Sequence, residues 1–97
     1  MRVIALSRLR EFWRKHPRAR IPLESWYAEA SRAPWKSPAD IRSAHRHASF
    51  IAGDRVVFKI KGNDYRLVVA IHYRKQIMYI RFVGKHAEYD RIDAAAV

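Results

Sequence analysis

The run Arg55-Val56-Val57-Phe58-Lys59-Ile60-Lys61-Gly62-Asn63-Asp64-Tyr65-Arg66-Leu67-Val68-Val69-Ala70-Ile71-His72 decides the fold class. Two stretches rich in Val, Ile, Phe and Tyr flank Gly62-Asn63-Asp64. β-Branched and aromatic residues suit a pleated, half-buried surface. Gly and Asn accept the positive φ of a tight turn, so the run predicts a β-hairpin. Alternation then assigns faces. Val56, Phe58 and Ile60 share one side, and Arg55, Val57, Lys59 and Lys61 the other. In the second strand Leu67, Val69 and Ile71 oppose Arg66, Val68, Ala70 and His72.

The pattern continues on both sides. Downstream, the strand from Tyr65 to Tyr73 meets Ile77 to Val83 across Lys75-Gln76, with Met78, Ile80 and Phe82 opposing Ile77, Tyr79, Arg81 and Val83. Upstream, Phe50-Ile51 precedes Gly53-Asp54. This predicts an antiparallel meander with one apolar face, which is all that a sheet needs for its core. His86 to Asp93 is expected as a short helix or an ordered tail.

The N-terminal half has a different period. A short strand over 2–5 precedes Ser7, a candidate N-cap. Leu9, Phe12, Trp13 and His16 recur at the 3, 4, 7 spacing of an amphipathic helix, which Pro17 stops. Pro22 suits the first position of a second helix, with Leu23, Trp26, Tyr27 and Ala30 on one stripe. That helix is expected to end near Ala33-Pro34. Ser37-Pro38-Ala39-Asp40 begins a shorter helix through about Ala44. The expected fold is α+β: two N-terminal helices packed on one face of an antiparallel sheet, one domain over 1–97.

Composition agrees. The chain has 97 residues, 20 Lys+Arg against 9 Asp+Glu, and a formal charge of +11. Its 49% apolar content excludes a disordered basic tail. Such a charge predicts a polyanionic partner. The absence of cysteine excludes disulfides, thiolate metal sites and a Cys nucleophile. No apolar run approaches a membrane span, and no secretory leader is evident. A soluble cytoplasmic protein is expected, with no membrane partner and no cofactor.

Candidate functional residues follow from the cation-bearing face. Lys59, Lys61, Arg66 and Arg81, with Arg55, Lys85 and His72, would line a basic groove, and Tyr79 and Tyr89 offer stacking surfaces for bases. Polar-out alternation alone would also place solvated cations there. Like charges on adjacent strands are destabilising, which favours an anionic ligand for the set. A second basic group, Arg2, Arg8, Arg10, Arg14, Lys15, Arg18 and Arg20, faces only Glu11 in the first twenty residues. It is expected away from the groove, as a solvated helix face or an RNA- or phosphate-binding ridge.

His86 follows the last strand and precedes Glu88, Tyr89 and Asp90, a grouping suited to acid–base chemistry or to a structural role. His45-x-His47 lacks a third ligand, so no metal site is expected. No Gly-rich phosphate loop, Ser nucleophile motif or two-metal carboxylate pattern is present.

Taken together, Arg55 to Val69 and the block Tyr79-Ile80-Arg81-Phe82-Val83-Gly84-Lys85-His86-Ala87-Glu88-Tyr89-Asp90 resemble the HigB family of type II toxin–antitoxin toxins. Leu9 to Trp13, Trp26-Tyr27 and Trp35 to Ile41 extend the resemblance over essentially the whole chain. Lys59 and Lys85 stand where the family pattern has Asn and Thr, adding two cations. The resemblance implies a RelE-like fold and an mRNA interferase acting in the ribosomal A site without metal. It also implies a helix-turn-helix antitoxin of the HigA type. Such an enzyme needs acid–base groups and phosphate ligands. His86 is the first choice for acid or base, with Tyr89 orienting it or stacking. Arg66 and Arg81 are suited to the phosphate as bidentate donors. A non-catalytic RNA-binding module or a structural ribosome-associated protein would use the same basic surface without cutting.

Overall fold

The structure, a computed structural model, describes residues 1–97. Strand β1 (Arg2–Ile4) leads into helix α1 (Leu6–Lys15), a 3₁₀ turn (Pro17–Ala19) and α2 (Arg20–Arg32). Helix α3 (Pro38–Ala44) precedes β2 (Ser49–Ile51), β3 (Arg55–Ile60), β4 (Tyr65–His72) and β5 (Ile77–Lys85). A one-turn helix, α4 (His86–Tyr89), follows. The sheet order is β1-β5-β4-β3-β2.

Strands β2 to β5 form the expected meander. Strand β1 departs from the antiparallel expectation by pairing parallel to β5, Arg2 to Ile77 and Ile4 to Tyr79. A parallel pair needs a crossover, and residues 5–76 supply it. Two helix starts also shift. Ala5, not Ser7, precedes α1. A 3₁₀ turn begins at Pro17, so α2 starts at Arg20 and Pro22 falls in its first turn. Proline costs nothing there, because first-turn N–H groups have no intrahelical acceptor.

One core joins helices and sheet. Leu9, Leu23, Trp26, Ala30, Trp35 and Ile41 pack on Val56, Phe58, Leu67, Val69, Met78 and Ile80. Trp26 meets Phe58 edge-on at 5.4 Å between ring centroids, and Trp35 stacks on Phe58 at 6.2 Å. Burying an aromatic or branched aliphatic side chain contributes about 1.5–3 kcal/mol, so this cluster dominates the stability. His45 joins it from the end of α3, packing on Phe58 and donating from Nε2 to Glu29 Oε1 at 2.9 Å.

The far side of the sheet is not simply solvated. Val57 and Val68 are buried although they alternate away from the helices. Arg55 reaches the C-terminal segment on that side, donating from Nε and Nη2 to the Val97 carbonyl at 3.1 and 2.6 Å.

Strand β5 carries the main irregularity. Val68 pairs with Phe82 and Val69 with Ile80, so Arg81 is the extra residue of a β-bulge. Beyond it the alternation is reversed. Val83, opposite Leu67, packs on the core, whereas Phe82 lies opposite Val68 on the far side. The sequence expectation had these two residues exchanged, because strict period-two counting cannot register an inserted residue.

Candidate active site

The β3–β4 turn, the start of α4 and the 3₁₀ turn after α1 meet at one end of the sheet. The turn is built by Lys61 (φ 54°) and Gly62 (φ 62°), with Asn63 outside the left-handed region. Asn63 instead holds Arg66. The Arg66 Nη1 donates to the Asn63 and Tyr65 carbonyls at 3.0 and 3.3 Å, and Nη2 to Asn63 Oδ1 at 2.9 Å. Lys61 Nζ lies 3.1 Å from Asp64 Oδ2.

Helix α4 is tied to this turn. The His86 backbone N–H donates to the Asp64 carbonyl at 3.2 Å. Glu88 Oε1 accepts from the Lys85 N–H at 2.8 Å and satisfies a donor at the helix start. His86 and Asp90 are one helical turn apart, and His86 Nδ1 lies 3.0 Å from Asp90 Oδ2. An ionised carboxylate only accepts, so this contact puts a proton on Nδ1 and leaves Nε2 as the nitrogen not engaged by Asp90. The two side chains are 49% and 58% exposed, so the pair lies at the surface.

A shallow cleft of about 350 Å³ opens beside His86, lined by Lys85, Tyr65, Asn63, Asp64 and Arg18. Arg18, which precedes the core-buried Ala19, is exposed. It makes no ion pair with a carboxylate. Sequence reasoning placed the N-terminal cations elsewhere; the fold brings Arg18 to His86. No local pattern signals this, because the contact depends on how the 3₁₀ turn packs against the sheet end.

Other expected groove residues are dispersed. Arg66 is 6% exposed and serves the turn from beneath. Lys61 is engaged by Asp64. Arg55 holds the Val97 and Gly53 carbonyls. Lys59 is exposed but borders a different cleft, with His45, Arg46 and His47. His72 Nδ1 accepts from the Lys75 N–H at 3.2 Å within the β4–β5 turn. Tyr79 is exposed, with the Arg81 guanidinium 5.8 Å from its ring centroid. The continuous basic face expected from alternation is therefore not formed. Hydrogen bonding to the turns and the C-terminal segment has taken up several of its cations.

Tyr89 is half-buried, its ring 6.5 Å from that of Phe82. Gly84 makes this possible. A Cβ there would stand 2.6 Å from Phe82 Cζ. The bulge thus delivers Phe82 to Tyr89, and Gly84 leaves room for its ring.

A family model described as HigB toxin, the RelE-like toxic component of a toxin–antitoxin system, matches residues 19–92, more than half of the chain. The chain belongs to the HigB toxin family. Helices over one face of a five-stranded mixed sheet are consistent with the RelE-like fold of that family. Membership makes an antitoxin the expected protein partner of this HigB-family toxin. The match contains His86, Tyr89, Asp90 and Arg66, and begins one residue after Arg18. No curated protein matches the chain. No helix is long and apolar enough to cross a membrane.

Proposed function

We propose that this toxin is a metal-independent endoribonuclease that cleaves mRNA on the ribosome, in the cytoplasm, and is neutralised by a HigA-type helix-turn-helix antitoxin. The observation that carries the proposal is the His86–Asp90 pair opening onto a cleft with Arg18 and Lys85. A polarised imidazole and two unpaired cations are what transesterification of RNA requires.

In the proposed step the ribose 2′-oxygen forms a bond to the adjacent phosphorus and the bond from phosphorus to the 5′-oxygen breaks. The products are a 2′,3′-cyclic phosphate and a free 5′-hydroxyl. His86 Nε2 takes the 2′-OH proton as base, or in the protonated state supplies one to the leaving oxygen. Asp90 holds the ring through Nδ1. Lys85 and Arg18 offset the charge gathered on the non-bridging oxygens. Tyr89 provides a stacking face one turn along α4. Arg66 acts from beneath, keeping the turn under the cleft in place.

The test is induced expression with and without the antitoxin, followed by primer extension on translated messages. Growth arrest with discrete cuts that disappear in His86→Ala at equal expression is the expected result. Arrest without cuts, or RNA binding with the message intact, would replace the enzyme by a binding module.

A further inference from the structure

A second cleft, of about 370 Å³, lies further up β5, between α1 and the bulge. It is lined by Arg8, Glu11 and Lys15, which recur at i, i+3 and i+7 on one face of α1, and by Arg81 and Phe82. Strand β1 covers β5 only from Ile77 to Tyr79, so from Ile80 onward the outer edge of β5 has no strand partner. Arg8 closes part of that edge, donating from Nη1 to the Ile80 and Arg81 carbonyls at 3.1 and 2.9 Å. This fixes the bulge and the position of Arg81. Lys15 and Arg81 make no ion pair with any carboxylate, and Glu11 is the one acid against three cations.

We propose that this cleft is a second phosphate subsite for the same RNA strand, a few nucleotides from the bond cleaved at His86. The inference rests on the endoribonuclease reading of the His86 cleft. Both clefts lie along one stretch of β5. From Arg81 to His86 is five residues, roughly 16 Å at strand rise. Adjacent phosphates do not span that distance, but a short run of extended single strand does. Lys15 and Arg81 hold the backbone there, and Phe82 offers an apolar surface to a base. Bulges beside active sites commonly re-aim a side chain, and here the inserted residue is itself the cation. Arg8, Lys15 and Arg18 all precede the matched segment, so the N-terminal region supplies much of the substrate surface of this chain.

The experiment measures binding of the full chain to single-stranded RNAs of increasing length by fluorescence anisotropy. Each RNA carries a 2′-deoxy position at the scissile bond. Wild-type affinity is expected to rise once the strand reaches the second cleft. Lys15→Ala and Arg81→Ala should each flatten that rise and reduce the slope of log affinity against log salt by about 0.7. Lys36→Ala, an exposed cation away from both clefts, should retain both properties. Thermal melts confirm folding, and either variant suffices if the other is unstable. Unchanged length dependence and salt slope in both variants overturn the subsite, as does weakened antitoxin binding with RNA binding intact. Primer extension separates the two readings. Length-dependent binding without cuts refutes the enzyme and leaves the subsite. Cuts together with unaltered binding in both variants do the reverse.

Discussion

His86 Nδ1 and Asp90 Oδ2 lie 3.0 Å apart, four residues from each other in sequence, at the end of the sheet. His86→Ala is expected to reduce mRNA cleavage by about 10²- to 10⁴-fold, the usual weight of one acid–base group. Asp90→Asn preserves shape but replaces the carboxylate acceptor that orients the His86 ring through Nδ1. Its loss should fall between about tenfold and that of His86→Ala. Both side chains are exposed, so far-UV circular dichroism and the melting temperature should stay at wild-type values. Equal cleavage by Asp90→Asn and wild type would remove Asp90 from the chemistry.

Arg66 is a stability residue by its contacts. Arg66→Ala removes three donations to Asn63 and Tyr65 and leaves their oxygens to find new donors. A cost of about 1–3 kcal/mol is expected, read as a lower urea midpoint. Lys cannot reproduce the planar fork, so Arg66→Lys should recover only part of the loss. An unchanged midpoint in Arg66→Ala would mean that the turn holds without it.

Gly84 is required by its neighbour rather than by its own backbone. Gly84→Ala should destabilise by about 1–3 kcal/mol, since Phe82 must give way. In a Phe82→Ala background the same substitution should cost much less. A double-mutant cycle showing full additivity would exclude the steric coupling.

Tyr73 carries a pH signature. Burial, and then the nearby Asp54 carboxylate, raise its phenol above the usual value. The folded state therefore binds this proton more tightly than the unfolded chain. The corresponding stability is fully present below about pH 10 and is lost as pH rises through the folded value. Above about pH 10, urea midpoints should fall more steeply with rising pH for wild type than for Tyr73→Phe. Parallel curves would show that the phenol does not contribute.

Most of the meander was legible in the sequence, because its strands have one buried face and the signal is local. The hairpin from Arg55 to His72 is the clearest example. Strand β1 was recognised as a strand, but its parallel docking on β5 was not, since three residues carry no information about their partner. Phe82 and Val83 were misassigned because the bulge at Arg81 leaves no mark in composition. His86 and Asp90 were visible as neighbours in sequence. Arg18 was not, because its place beside them is fixed by tertiary packing. The fate of Arg55, Lys61 and Arg66 was equally hidden, since each is engaged by a turn or segment that alternation does not describe.

The bulge also has a meaning for how β5 tolerates change. It acts as a phase shifter: residues up to Ile80 and residues from Phe82 onward keep opposite parity, so the two parts of one strand answer to different surfaces. A single-residue deletion at position 81 would remove the extra residue and leave a regular ladder, with Ile80 still opposite Val69, Phe82 opposite Val68, and each side chain on its present face. Paired insertions or deletions would leave the parity intact. The end of β5 that bears the His86 cleft is thus free to diverge in sequence without disturbing the packing of its other end, provided that each part keeps its own face.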